Sequence, residues 1–271
     1  MLEYTDGYVN NNGVKIHYYR TGGYKPPFIL LHGATDNGLC WTPVAEMLSA
    51  QYDVIMPDAQ GHGLSDRLDS GFSYERHTDQ VVSLVQELEK INPIIMGHSM
   101  GADTAVNIAV THPSLPKAII LEDPPWGPLL PPVPENEEEQ PAEDFREQLS
   151  RLGKLPLEEI IEEGRKRDPS WSEEERLVWA KAKQQFDPSL FSKPVINPRS
   201  YEDLVPEIRC ATLLIFADAG IVTEATAKHA AELWKSDKPF HWVQIKGAGH
   251  NIRREQYQAF TQALTKFLKE L

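Results

Sequence analysis

The chain has 271 residues, 41% of them hydrophobic, with a formal net charge of −13. It is long enough for one sizeable α/β core carrying an insertion, and the excess of acid excludes a sequence-independent grip on nucleic acid or an anionic membrane, both of which need a basic face. The first ten residues carry no basic stretch leading into an apolar run, no segment approaches the roughly 20 apolar residues that span a bilayer, and the two cysteines, Cys40 and Cys210, lack metal-type spacing; the expectation is a cytoplasmic protein whose partner is a small molecule.

Short apolar runs at 16–19, 28–31, 54–56, 94–96 and 118–121 read as buried strands, and residues 41–48, 74–88 and 100–109 between them read as helices. Continuous apolar strands alternating with helices imply a mostly parallel sheet covered on both faces. After Asp123 the composition changes to proline, acid and tryptophan, with a helical stretch through Trp171 and Trp179 and no strand signal. Strand patterns resume at 211–216 and 240–245, and a helical pattern closes the chain over 255–269. Residues 124–204 therefore read as a helical cap inserted into a core made of 1–123 and 205–271. The acidic run at 137–139 reads as a solvated face.

Gly97-His98-Ser99-Met100-Gly101 follows one strand pattern and opens a helix. This GxSxG spacing makes a turn so tight that a Cβ on either flanking residue would clash, and it exposes the Ser99 hydroxyl where the N–H groups and dipole of a helix N-terminus favour an oxyanion. Ser99 is the expected nucleophile. His32-Gly33-Ala34 follows the strand at 28–31, and the backbone N–H groups of Ala34 and Met100 are the expected oxyanion donors. Gly247-Ala248-Gly249-His250 follows the last strand, so His250, on a glycine-rich loop, is the expected base. Three carboxylates compete to orient it. Asp218, after the strand at 211–216, keeps the chain order Ser, Asp, His and stands first; Glu122 and then Asp123, directly after the strand at 118–121, follow.

These residues resemble the α/β-hydrolase superfamily: His32-Gly33, then Asp58-Ala59-Gln60-Gly61-His62-Gly63-Leu64-Ser65, then the elbow, then Gly249-His250, over about 190 of the 271 residues. The resemblance implies an α/β-hydrolase fold with a mostly parallel eight-stranded sheet, a structural role for the turn at 58–65, and an acid that usually follows the seventh strand. In lactone hydrolases of the zearalenone type and in haloalkane dehalogenases a glutamate follows the sixth, a pattern that Leu121-Glu122-Asp123-Pro124 is similar to. Haloalkane dehalogenases and epoxide hydrolases carry aspartate at the elbow, whereas a serine there implies acyl transfer through an acyl-enzyme.

Within the cap, Trp126, Trp171 and Trp179, with Phe186 and Phe191, form an aromatic set able to line a pocket for an apolar group. The expected function is hydrolysis of small to medium hydrophobic carboxylic esters, with a lactonase as the nearest rival and a hydrolase-fold small-molecule receptor as the alternative from another class. No metal or organic cofactor is implied, because no His/Cys/Asp cluster has ligand spacing and no dinucleotide-type glycine fingerprint follows the first strand.

Overall fold

The computed structural model describes residues 3–69, 71–127, 145–192 and 197–271; the acidic run at 137–139 lies outside them. In chain order the elements are β1 (Thr5–Asn11), β2 (Val14–Arg20), β3 (Pro27–Leu31), α1 (Thr42–Leu48), β4 (Asp53–Pro57), α2 (Tyr74–Glu87), β5 (Ile94–His98), α3 (Met100–Thr111) and β6 (Ala118–Glu122). Next come α4 (Phe145–Leu152), α5 (Leu157–Arg167), α6 (Glu173–Gln185) and α7 (Tyr201–Leu204), all between β6 and β7 (Ala211–Ala217). The chain ends with α8 (Glu224–Leu233), β8 (Phe240–Ile245), α9 (Ile252–Glu255) and α10 (Tyr257–Leu268).

One eight-stranded sheet runs in the order β1-β2-β4-β3-β5-β6-β7-β8. β1 and β2 pair antiparallel, as do β2 and β4, and the remaining neighbours are parallel. Period-two alternation splits each central strand between two cores. Ile29 and Leu31 of β3 face one cluster with Val81, Val85, Ala105 and Ala227 of α2, α3 and α8. Phe28 and Leu30 face the other, with Val44 and Leu48 of α1 and Phe260, Leu264 and Phe267 of α10. Every residue of β4 to β7 is buried, which explains why these strands read as unbroken apolar runs.

β1 carries no such run. Its sequence TDGYVNN buries Val9 alone, and edge position makes that sufficient. The expected C-terminal helix at 255–269 is α10, and the short α9 precedes it, the two separated at Gln256.

The strand order sets the position of the site. From β3 the chain moves outward to β4 and then returns past β3 to β5, so direction reverses between β3 and β5. In open α/β sheets, ligands bind outside the carboxyl ends of the strands at such a switch point. The loop after β3 and the turn after β5 meet there. Among the described residues, no helix is long and apolar enough to cross a membrane.

Candidate active site

Ser99 stands between the end of β5 and the first residue of α3, at φ 50 and ψ −117. A left-handed conformation is costly for a residue with a Cβ and persists only where its surroundings enforce it. Here β6 enforces it, since the Ser99 N–H donates to the Glu122 carbonyl at 2.9 Å. The flanking glycines permit the close approach: a Cβ at Gly97 would fall on the Gly101 carbonyl, and one at Gly101 on that of Leu31. Met100, first residue of α3, has an N–H with no partner within its own helix. Ala34 and Met100, the two residues whose N–H groups are the expected donors, pack in the same small cluster with Ala59, Tyr74 and Phe72.

His250 lies across from the elbow. Its carbonyl accepts a 2.8 Å hydrogen bond from Nε2 of buried His98, and the two rings are 4.6 Å apart. Burial, then the neighbouring His250, hold the His98 pKa well below the usual imidazole range. His98 is thus a neutral ring that donates through Nε2, and its buried Nδ1 finds no hydrogen-bond partner among the described residues. A Cβ on Gly33 would lie 2.6 Å from that nitrogen, so His98 fills the space between the elbow, the β3 loop and the His250 backbone.

The three candidate carboxylates separate clearly. Asp123, with φ 42 just past β6, places Oδ2 2.6 Å from His250 Nδ1. Its carboxylate also accepts the backbone N–H groups of Ile221 and Val222, each at 2.9 Å. Asp218, expected first, is directed elsewhere: it is exposed and accepts the N–H groups of Gly247 and Ala248, tying down the loop that carries His250. Glu122, expected second, is fully buried and accepts the N–H and a guanidinium N–H of Arg253, both at 2.9 Å. The physical reason is the pleat. Glu122 still belongs to the β6 ladder opposite His98 and Ile215, whereas the left-handed turn at Asp123 swings the next side chain toward the β8 loop.

Glu122→Gln removes the 2.9 Å carboxylate partner of buried Arg253 and leaves that guanidinium only the 3.8 Å approach to Asp36, so it is expected to cost about 3 kcal/mol. Thermal unfolding should register that loss, while the folded fraction keeps most of its turnover.

The tryptophans expected to line a pocket form core contacts instead. Trp126 stacks on Tyr201 at 5.3 Å and donates Nε1 to Asp103 at 3.2 Å. Trp171 and Trp179 meet edge to face at 6.1 Å, in a buried cluster with Leu152, Ile160 and Ala180. Ala34 packs against a second cluster, of Leu149, Phe186 and Leu190, which Leu68, Phe72 and Phe191 also join. Large rings inside a helical insertion have their own core to fill, so residue type alone did not identify which aromatics pack in the clusters that Ala34 joins.

Asp103 is one turn beyond Ser99 and buried, accepting from Asn197 Nδ2 at 2.6 Å as well as from Trp126. Burial raises its pKa from the ordinary 3.8 to about 6, against the pull of these two donors. A carboxyl raised in the folded chain holds its proton where the unfolded chain has lost it, so stability falls as pH climbs from about 4 to 6 and stays lower above. Asp103→Asn should therefore stabilise the protein above pH 6, by up to roughly 3 kcal/mol, with the advantage vanishing near pH 4 in denaturant titrations.

A further charged network adjoins the β3 loop. Asp36 pairs with Arg254 at 3.1 Å, and Arg254 also binds Glu175 of α6 at 2.7 Å. Burial pushes Asp36 up, but Arg254, Lys183 and Arg253 outweigh it and hold its carboxyl far below the usual range. Lys183 of α6, itself buried, donates to the Thr35 carbonyl at 2.8 Å and the Thr35 hydroxyl at 2.7 Å. Burial lowers its pKa to about 8. Neither His98 nor this network stood out in the sequence, since isolated Lys and Arg positions on a helix read as solvated. The turn at 58–65 is a scaffold: Asp58 accepts from Gly38 and Leu64 and faces His17 Nδ1 at 2.8 Å. Among the described residues, no group of three or more His, Cys, Asp or Glu side chains could hold a metal ion.

The chain matches the model of the alpha/beta hydrolase family over residues 28–263. It is 32% identical over 104 residues to 2-(acetamidomethylene)succinate hydrolase of Mesorhizobium japonicum, a stretch that covers 38% of this chain and 37% of that relative. The chain thus spans about a third of the length of the first curated relatives it matches. It is 25% identical to N-formylmaleamate deformylase of Pseudomonas putida over 97% of this chain and 96% of that one. Among solved structures it superposes on an E-2-(acetamidomethylene)succinate hydrolase with a TM-score of 0.74 at 19% identity, covering 98% of this chain and 100% of that one. With the family match spanning most of its length, the sheet order, the strained elbow and the β8 loop have one common explanation: this chain belongs to the alpha/beta hydrolase family.

Proposed function

We propose that the protein is a serine hydrolase that cleaves carboxylic esters of small to medium hydrophobic substrates, with residues 124–204 acting as a cap over the site. The observation that carries this reading is the Asp123–His250 pair at 2.6 Å, adjoining a serine held at φ 50 on a helix N-terminus. In the reaction, Ser99 Oγ attacks the ester carbonyl as His250 Nε2 takes the hydroxyl proton. Asp123, accepting from Nδ1–H, keeps the ring in the required tautomer and stabilises the imidazolium. The developing oxyanion accepts hydrogen bonds from the N–H groups of Ala34 and Met100. Collapse of the tetrahedral intermediate breaks the ester bond, and His250 returns the proton to the departing alcohol. A water, deprotonated by His250, then attacks the acyl-enzyme and releases the acid with Ser99 restored.

The apolar cluster that Ala34 joins, with Phe72, Phe186 and Phe191 among its members, supports a hydrophobic acyl or alcohol group. The names of the relatives, a deformylase and a hydrolase, support hydrolysis as the reaction class. A lactone substrate is the second reading, favoured by a histidine-facing acid that follows β6 rather than β7.

Hydrolysis of p-nitrophenyl butyrate beside a simple aryl lactone tests both. Multiple turnover on the ester with a p-nitrophenolate burst is the expected result, and the ratio of the two rates selects esterase or lactonase. Failure to turn over either substrate, together with a ligand-dependent rise in melting temperature, would replace the enzyme by a small-molecule receptor.

A further inference from the structure

Thr35 sits immediately after the expected oxyanion donor Ala34, at φ 68, a conformation that a β-branched residue adopts only under constraint. Each of its polar groups is held by a side chain. Its N–H donates to Nε2 of buried His62 at 3.2 Å, and its carbonyl and hydroxyl both accept from Lys183 Nζ. The next two residues are also tied to α6, Asp36 through the Arg254–Glu175 bridge and Asn37 by a 2.8 Å bond from its Nδ2 to Gln185 Oε1. Three consecutive residues of the β3 loop therefore depend on a helix that is distant in sequence. A buried ammonium is expensive, and here the nearby Asp36 carboxylate, the Trp179 ring 5.0 Å away and the two Thr35 acceptors offset it. Such an arrangement persists where a particular loop conformation is required.

We infer that Lys183 is a positioning residue for the oxyanion hole: by clamping Thr35 in its left-handed conformation it aims the Ala34 N–H, so the hole is complete only when α6 is seated on the β3 loop. The inference rests on the serine-hydrolase reading above. An interaction that forms the hole acts on the transition state, where the carbonyl oxygen carries charge, and leaves ground-state binding nearly untouched. An aliphatic trifluoromethyl ketone reports on the same geometry, because Ser99 Oγ adds to its carbonyl, the hydroxyl proton passes to His250, and the resulting oxyanion occupies the hole.

The test compares wild type with Lys183→Met, Thr35→Gly and the double variant on p-nitrophenyl butyrate, with the trifluoromethyl ketone as inhibitor. Lys183→Met is expected to lower kcat about 10- to 100-fold with KM changed less than about threefold, and to raise the ketone Ki by a factor close to the kcat loss. Thr35→Gly, which takes positive φ freely and so folds regardless of the clamp, should lower kcat about three- to tenfold with the same pattern. In the glycine background, loss of Lys183 should cost clearly less than in wild type, because part of what the ammonium holds is already gone. Unchanged kcat, a loss confined to KM, an unmoved Ki or strictly multiplicative effects would each assign Lys183 to ordinary packing and overturn the inference. A wild type that neither hydrolyses the ester nor binds the ketone would instead overturn the serine-hydrolase reading, and the inference with it.

Discussion

Ser99→Ala is expected to abolish the p-nitrophenolate burst and lower kcat by roughly 10⁴-fold or more, while the melting temperature stays within a few degrees of wild type. The size of the loss follows from the unit behaviour of nucleophile and base: without the hydroxyl there is no acyl-enzyme, and the remaining rate is what the oxyanion donors and substrate binding supply to a water attack. Stability is preserved because alanine retains the Cβ, and the backbone bond from residue 99 to the Glu122 carbonyl does not involve the side chain. Both kinetic readouts matter. A variant that kept full turnover would show that Ser99 is not the attacking group, whereas one that lost activity by unfolding would show it in the melting curve.

Asp123→Asn is the second large effect, with kcat expected to fall roughly 10³- to 10⁴-fold. An asparagine is close to isosteric, and with its nitrogen in the place of Oδ2 its side-chain oxygen still accepts from Val222, so the loop keeps one of its two backbone bonds to this residue. What changes is the His250 ring. An amide nitrogen facing Nδ1 favours the tautomer with the proton on Nε2, where the ring cannot accept from Ser99, and the imidazolium loses its counter-charge. Asp218→Asn, by contrast, should lower kcat by no more than about tenfold, because an exposed residue that ties down Gly247 and Ala248 acts on His250 only through the loop. A ranking in which Asp218→Asn is the more damaging of the two would remove Asp123 from the triad.

The parts of this architecture that were legible in the sequence share one property, that local rules determine them. The unbroken apolar runs at 94–96 and 211–216 could only be strands buried on both faces, and they became β5 and β7. Gly97 and Gly101 around Ser99 encode a turn that no other residue type fits. β1 escaped notice because an edge strand needs a single buried side chain, Val9, and takes its hydrogen bonds from β2. The tryptophans drew attention through their size, yet Trp171 and Trp179 are the core of the segment between β6 and β7. Phe72, from the segment before α2, packs beside the expected oxyanion donors instead.

By itself, then, the sequence determined the central strands, the tight turn at Ser99 and the glycine-rich loop before His250, because hydrophobic period and glycine sterics operate over a few residues. Tertiary structure decided which carboxylate meets the histidine. Glu122, Asp123 and Asp218 all end strands at the same edge, and one residue of pleat together with the positive φ of Asp123 decides which carboxylate faces His250 and which is consumed by Arg253 or by Gly247. It also decided the fate of the buried charges: Lys183, Arg253 and Arg254 are ordinary surface letters in the chain, and they become interior groups because Thr35, Glu122 and Asp36 meet them across more than a hundred residues. Electrostatic pairing of that kind depends on distance in space, to which composition and spacing carry no guide.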